Sequence, residues 1–498
     1  MSNSLLEVRG ISKRYGGVQA LKDVSVSFGA GRVHCLAGVN GSGKSTLIKI
    51  ISGVETPDTG ELILEGQPLH HHNARLALQH GIQVIYQDMA LFGNLSVAEN
   101  IDMLRRSLQS GPVVGHREAL RRAEAVTERL GLSLPLTADV DDLSVADRQL
   151  TAICRALAQD AKVLFMDEPT TALTWREVDK LFEVVSRLKS DGVAIVFVSH
   201  KLDEALAISD DMTVIRNGIK VTEGPADSFT EDSLAEALVG SRTTTERKTV
   251  DVPASAEVAL SVRSLGLATQ FHDISFDLKA GEIVGLTGLR GSGRTQIADA
   301  LFGLHPPDSG EIHIFGTPAT LTSPDAAIEA GIAYVPEDRL RQGVFLTRAI
   351  SENLVAATID QVSTVGVINS TQVSEQVTSS VDALQIKIGR PADPIRTLSG
   401  GNQQKVVIGK WVATQPRILI LNGPTVGVDI GAKFGILQIL REYALQGMAI
   451  LVVSDDFQEV AGVCNRVLVV DKGLLRGEIT GDDVSVEAVR ELVMEVSQ

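Results

Sequence analysis

GVNGSGKST, residues 38–46, follows the apolar run RVHCLA (32–37) and leads into TLIKIISG (46–53). Backbone N–H groups converge on a phosphate only where glycines permit close approach and unusual dihedrals. A helix starting there adds its positive end. The stretch fits G-x-x-x-x-G-K-[ST] at every position, with a strand before it and a helix after it, the setting in which that pattern cradles nucleotide phosphates. Gly38, Asn40, Gly41, Ser42 and Gly43 shape the loop. Lys44 is expected to reach the β- and γ-phosphates, and Ser45, beside Thr46, to offer its hydroxyl to Mg²⁺. VLFMDEPT (163–170) supplies the complement: an apolar strand ending in two carboxylates. There Asp167 would hold the Mg²⁺ shell and Glu168 would orient and polarise the attacking water. ATP and Mg²⁺ are the ligands this implies.

The stretch occurs twice. LKDVSVSFGAGRVHCLAGVNGSGKST (21–46) returns as FHDISFDLKAGEIVGLTGLRGSGRTQ (271–296), an offset of 250 residues from Gly38 to Gly288. GVETPDTGELILEG returns as GLHPPDSGEIHIFG, and HGIQVIYQD as AGIAYVPED; further on the offset becomes 255, from Ser144 to Ser399. Such a period is far too long for a stacked solenoid. The chain therefore reads as one domain duplicated, over 4–240 and 258–497, with a small insertion in the second copy and a polar linker over 241–257. Within each copy, short apolar runs such as KVLFMDE and AIVFVSH alternate with helical patterns such as WREVDKLFEVVSRLKS. That alternation predicts α/β domains with a largely parallel sheet buried on both faces.

Composition narrows the partners. The chain has 498 residues and a net charge of −16, which argues against wholesale nucleic-acid backbone binding. Its apolar runs fall well short of a membrane span, and the start MSNSLLEVRG has no secretory pattern, so a cytoplasmic protein without an anchor of its own is expected. Cys35, Cys154 and Cys464 are scattered, giving neither a disulfide framework nor metal spacing. His70, His71 and His72 fall where a solvated loop is expected.

Further residues carry a resemblance. LSGGNQQK (398–405) resembles the signature sequence of ABC ATPases, VIYQD their glutamine loop and FVSHK their switch segment. The resemblance spans nearly the whole chain. It implies two tandem P-loop domains, each with a mainly parallel sheet, an antiparallel β portion and a helical subdomain carrying the signature. It also implies that Gln87 senses Mg²⁺, that His200 contacts the γ-phosphate and that Tyr15 stacks on adenine. GLRGSGRT, YVPEDRLRQG, LSGGNQQKV and GPTVGVDIGAK together look like the tandem ATPases of bacterial sugar importers of the ribose, galactose and xylose type. In those, a tandem chain serves a pair of permease subunits at the cytoplasmic face of the membrane, and a substrate-binding protein delivers a monosaccharide. A nucleoside, sugar alcohol or signal molecule is the alternative cargo. A soluble ATPase of ribosomes or DNA is the alternative role, disfavoured by the short linker and the missing cysteine clusters.

In this family the two domains pair head to tail, each ATP lying against the phosphate loop of one copy and the signature of the other. One such set is complete: Tyr15, Lys44, Ser45, Gln87, Asp167, Glu168 and His200 with Ser399, Gly400 and Gly401, and Asp429 as the aspartate that spans the pair. The other is depleted. Around Gly288, Gly291, Gly293 and Thr295, Arg294 replaces lysine, and a planar fork is no steric equivalent of an ammonium. Glu337 replaces the glutamine, Asn422 and Gly423 the Asp-Glu pair, and Asp455 the histidine. Opposite them, Val145 and Ala146 follow Ser144 where glycines are expected, Thr174 stands at the spanning aspartate, and Leu265 falls where an aromatic is expected. The sugar-importer family often keeps the Asp-Glu pair in its second copy, so Asn422-Gly423 departs from its pattern.

Overall fold

The computed structural model describes residues 4–108, 116–170, 173, 175–199, 201–240, 249–364, 366–496. The chain divides into two units, Met1–Thr244 and Thr245–Gln498.

In the first unit a six-stranded sheet runs in the order Ile219–Pro225, Asp211–Arg216, Val33–Ala37, Ala194–Val198, Val163–Asp167, Ile82–Ile85. All pairings are parallel except that of the edge strand Ile219–Pro225. The central strands are almost wholly apolar, His34 and the terminal Asp167 excepted, because both faces are covered. Val163 and Phe165 pack towards Leu6, Leu47 and Val196. Leu164 and Met166, pointing the other way, pack towards Ile153, Leu181 and Phe197. On the first of these faces lie the helix Lys44–Ile51 and a four-stranded antiparallel sheet of Val18–Gly29, Ser4–Tyr15, Thr59–Leu64 and Gln67–Pro68. Helices Val97–Leu108, His116–Leu130 and Val145–Leu157 form the helical portion.

The second unit repeats this plan: Leu474–Thr480, Arg466–Asp471, Ile283–Thr287, Ala449–Val453, Ile418–Asn422, Ile332–Val335. Even an ion pair recurs with its signs exchanged. Arg32 Nε lies 2.6 Å from Asp211 Oδ2 in the first unit, and Arg466 Nε lies 2.7 Å from Glu282 Oε1 in the second.

Part of the expected linker is packed structure. Val250 is buried in the second unit's core, its carbonyl accepts from Asn465 Nδ2 at 2.6 Å, and the Glu257 carbonyl accepts from Ala280 N–H at 2.9 Å. Residues 241–248 lie outside the described part. All three cysteines are buried thiols, and burial pushes Cys35 and Cys154 up to about 12. The His72 ring has a structural partner, Nε2 lying 2.7 Å from the Ile51 carbonyl. Among the described residues no helix is long and apolar enough to cross a membrane.

Candidate functional site

In each unit the phosphate loop leaves the middle of the parallel sheet and enters a helix, Lys44–Ile51 or Arg294–Leu301. Each helix starts from a glycine in the left-handed region, Gly43 at φ 108° and Gly293 at φ 102°. A Cβ on Gly43 would come within 2.6 Å of the Ala20 carbonyl, so a side chain is excluded by space as well as by dihedral. Lys44 is buried, and its Nζ donates to the carbonyls of Gly38 (2.6 Å) and Val39 (3.1 Å). The Ser42 hydroxyl is buried without a hydrogen-bond partner, an orphan that a bound phosphate oxygen would satisfy. Asn40 and Gly41 line the exposed side of the loop, and Ser45 is exposed on the first helical turn, next to half-buried Thr46.

Asp167 closes the neighbouring strand Val163–Asp167. Burial, and then the adjacent Glu168, hold its carboxyl above the usual range, with Lys44 pulling the other way. A cation there would relieve that cost. The Ser45 hydroxyl, the Asp167 carboxylate and the exposed amide of Gln87, in the turn beyond strand Ile82–Ile85, are hard oxygen donors of the kind Mg²⁺ takes. Glu168 stands at φ 49°, with its N–H on the Val198 carbonyl at 2.9 Å. His200 and Thr174 lie outside the described residues.

The second loop keeps the backbone and changes the chemistry. Arg294 Nη1 donates to the equivalent carbonyls, Gly288 at 2.6 Å and Leu289 at 2.9 Å, while its Nη2 lies 2.9 Å from Asp455 Oδ2. The sequence leaves a negative charge beside the loop at Asp455; in the fold that charge is paired. Asn422 is buried, and its amide donates to the Tyr334 hydroxyl at 3.3 Å, which donates to Asp299 at 2.6 Å. The side chain that stands in place of Asp167 is thus tied into the core. Gly423 has no carboxylate. Glu337 is exposed, and a Cβ on Gly423 would lie 3.3 Å from its Cγ.

These two loops sit in segments that match the ABC transporter family, residues 21–171 and 271–426. A ribose import ATP-binding protein of Streptomyces avermitilis is 42% identical over 485 residues, covering 97% of this chain and 96% of its own. The chain belongs to the ABC transporter family. A putative ribose/galactose/methyl galactoside import ATP-binding protein of Ralstonia nicotianae is 41% identical, covering 98% of this chain and 94% of its own. An archaeal ribosome recycling factor, solved with a ribosomal stalk protein, shares the tandem fold with a TM-score of 0.64 and 20% identity, over 98% of this chain and 92% of that one. The two domains of this ABC protein are ATPase cassettes.

The two ABC signature segments differ by more than their glycines. Ser399 stands just before the helix Gly400–Val412 without a side-chain capping bond, and its Oγ accepts from Asn402 Nδ2 at 3.0 Å, leaving its own proton to donate elsewhere. Ser144 caps Val145–Leu157, but its hydroxyl proton goes to Asp147 Oδ2 at 2.9 Å while its oxygen accepts the Asp147 N–H. The first signature thus carries a carboxylate at its helix start, a charge that disfavours an anion there. Sequence reasoning missed this; the signal was LSVAD against LSGGN. Gly400 and Gly401 are also packed: Cβ atoms there would meet the Gly427 carbonyl at 2.8 Å and the Ala432 Cβ at 2.3 Å. Asp429 caps the next helix through the Ala432 N–H at 2.9 Å.

Strand register overturns one pairing. A constant offset of 250 sets Leu265 against Tyr15. Yet Arg9 pairs with Glu61 as Arg263 pairs with Glu311, and the Arg14 N–H meets Asp58 as the Ala268 N–H meets Asp308. In the first strand the offset is therefore 254. Leu265 corresponds to Ile11, both being fully buried, and Thr269 corresponds to Tyr15. The second hairpin is four residues shorter and has no aromatic there, while Tyr15 is 42% exposed at the hairpin end. The insertion of the second copy also has a place. Asn100 accepts the Phe92 N–H and Asn353 the Phe345 N–H, each at 2.8 Å, an offset of 253. Three extra residues therefore follow Glu337, in the wide turn Arg339–Gly343. The buried pair Asn100 and Asn353, which fastens the segments after Gln87 and Glu337, was invisible without the fold.

Proposed function

We propose that this chain is the ATP-hydrolysing subunit of an importer for a monosaccharide. It would sit at the cytoplasmic face of the membrane on a pair of permease subunits, supplied by a substrate-binding protein, and bind no nucleic acid. One composite site hydrolyses ATP. In it Tyr15 stacks on adenine, and Gly38–Thr46 hold the phosphates with Lys44. Ser45, Gln87 and Asp167 would hold Mg²⁺, whose chemistry is to neutralise phosphate charge. Glu168 orients the attacking water, His200 faces the γ-phosphate, and Ser399, Gly400 and Gly401 donate to it from the partner copy. Donors aimed at developing charge in a dry site are the strongest lever available. Closure on ATP and reopening after hydrolysis are a population shift driven by the γ-phosphate contacts.

The observation that supports a single working site best is the pairing of losses. Glu168 and a proton-donating Ser399 survive in one set; Gly423, the tied Asn422 and the carboxylate-blocked Ser144 fall in the other. The likeness to the recycling factor is one of fold alone, and a ribosomal role gains no support from it. The test is reconstitution with the cognate permease in vesicles, following ATP turnover and uptake of labelled ribose or galactose in the presence of the binding protein. Sugar-stimulated turnover with uptake is expected. Turnover stimulated by ribosomes instead, with no permease association, would overturn the reading.

A further inference from the structure

The second phosphate loop is built to hold something. Its backbone matches the first, and three buried polar groups around it have no hydrogen-bond partner: the hydroxyls of Ser292 and Thr287, and Arg294 Nε. Ser292, Thr287 and Arg294 are 4%, 0% and 7% exposed. Unpaired groups buried to this degree call for a ligand. The ligand chemistry is phosphate, since donors converge at the start of an eight-residue helix.

What differs from the first loop is where the terminal phosphate would lie. Arg294 spends Nη1 on the loop carbonyls of Gly288 and Leu289 and Nη2 on Asp455, 2.9 Å away. Asp455 follows Ser454 at the end of strand Ala449–Val453, the position of His200 in the first copy. A carboxylate thus already sits on the cation that would meet the outermost phosphate. A γ-phosphate arriving there would have to displace one anion and remain beside it. A ligand that stops at the β-phosphate would not.

We propose that the second phosphate loop is a nucleoside diphosphate site, and that Asp455 is the residue that sets its preference for diphosphate over triphosphate. This goes beyond the preceding reading, and rests on it only in taking the second copy as non-hydrolysing. Asn422, tied to Tyr334, and Gly423 agree with a site that holds nucleotide without turning it over. Removing one charge from contact with a phosphate is expected to change affinity about tenfold or more.

The experiment titrates ADP and ATP, each with Mg²⁺, into the full chain carrying Glu168→Gln, by calorimetry. Two classes of site are expected: one lost in Lys44→Ala, the other in Arg294→Ala, with thermal melting confirming that each variant is folded. The class lost in Arg294→Ala should bind ADP at least about tenfold tighter than ATP. The isosteric Asp455→Asn should erase that gap by tightening ATP, with ADP little changed. A second class that prefers ATP, a ratio unmoved by Asp455→Asn, or no second class at all would each overturn the proposal. Hydrolysis persisting in the Glu168→Gln chain shows as ADP formed in the cell. That outcome would count against the proposed function alone, and the preference would then be read with the imido analogue of ATP.

Discussion

Glu168 and Gly423 occupy the same backbone position in the two copies. Each lies in the left-handed region, at φ 49° and 61°, and each donates its N–H to the last residue of the neighbouring strand, Val198 at 2.9 Å and Val453 at 2.7 Å. A left-handed residue with a Cβ costs about 1–2 kcal/mol, so the first copy holds its carboxylate in a strained turn and the second copy has the relaxed form. Strain kept where the chemistry needs a side chain is a mark of a functional position.

Glu168→Gly should therefore stabilise the first domain while removing its activity. Relief of backbone strain and of repulsion on Asp167 outweighs the added chain entropy, and a net gain of about 1 kcal/mol is expected. Urea unfolding of the variant beside Glu168→Gln measures it; a loss of stability in the glycine variant would show that the turn is not strained.

The signature difference is testable from the second copy. Asn402→Asp recreates the Ser144–Asp147 arrangement at Ser399, turning its proton inward and adding a negative charge where phosphate approaches. Turnover should fall about 100-fold or more, the scale for losing one oxyanion donor, while Asn402→Ser should be much milder. Equal activity of the aspartate variant would remove Ser399 from the working set.

Acid should weaken the first domain through His34. It is buried, hydrogen-bonded to Thr213 at 2.9 Å, and burial lowers its pKa to about 4. Its folded pKa lies below the unfolded 6.5, so the unfolded chain binds the extra proton between these values. Stability is then full above about pH 6.5 and falls by about 1.4 kcal/mol per unit as pH drops towards 4. The second copy has Val284 and Leu468 at these positions. His34→Val with Thr213→Leu should flatten the acid limb of a melting profile, and an unchanged limb would assign the sensitivity elsewhere.

Much of the site was legible because phosphate binding demands glycines and a cation at fixed spacing, and the strands around it are largely apolar. Lys44, Asp167 and Glu168 stand where those patterns put them. What could not be read were contacts that depend on register or on a partner far away in sequence. Leu265 was set against Tyr15 because a hairpin four residues shorter leaves no mark in a constant offset. Asp455 was read only as a replacement for the switch histidine, because nothing in the sequence joins it to Arg294, 161 residues earlier. Val250 was assigned to a linker because its core contact needs the fold.

The central claim, one working site built on Glu168, is tested most directly by ATP turnover of the chain with its permease, comparing wild type, Glu168→Gln and Gly423→Glu. Glu168→Gln should abolish turnover. Gly423→Glu should add little, since its Cβ would meet Val426 Cγ2 at 2.7 Å and Asn422 and Asp455 would remain unchanged. Substantial turnover left in Glu168→Gln would mean that the second site hydrolyses ATP despite Asn422 and Gly423, and would contradict the account.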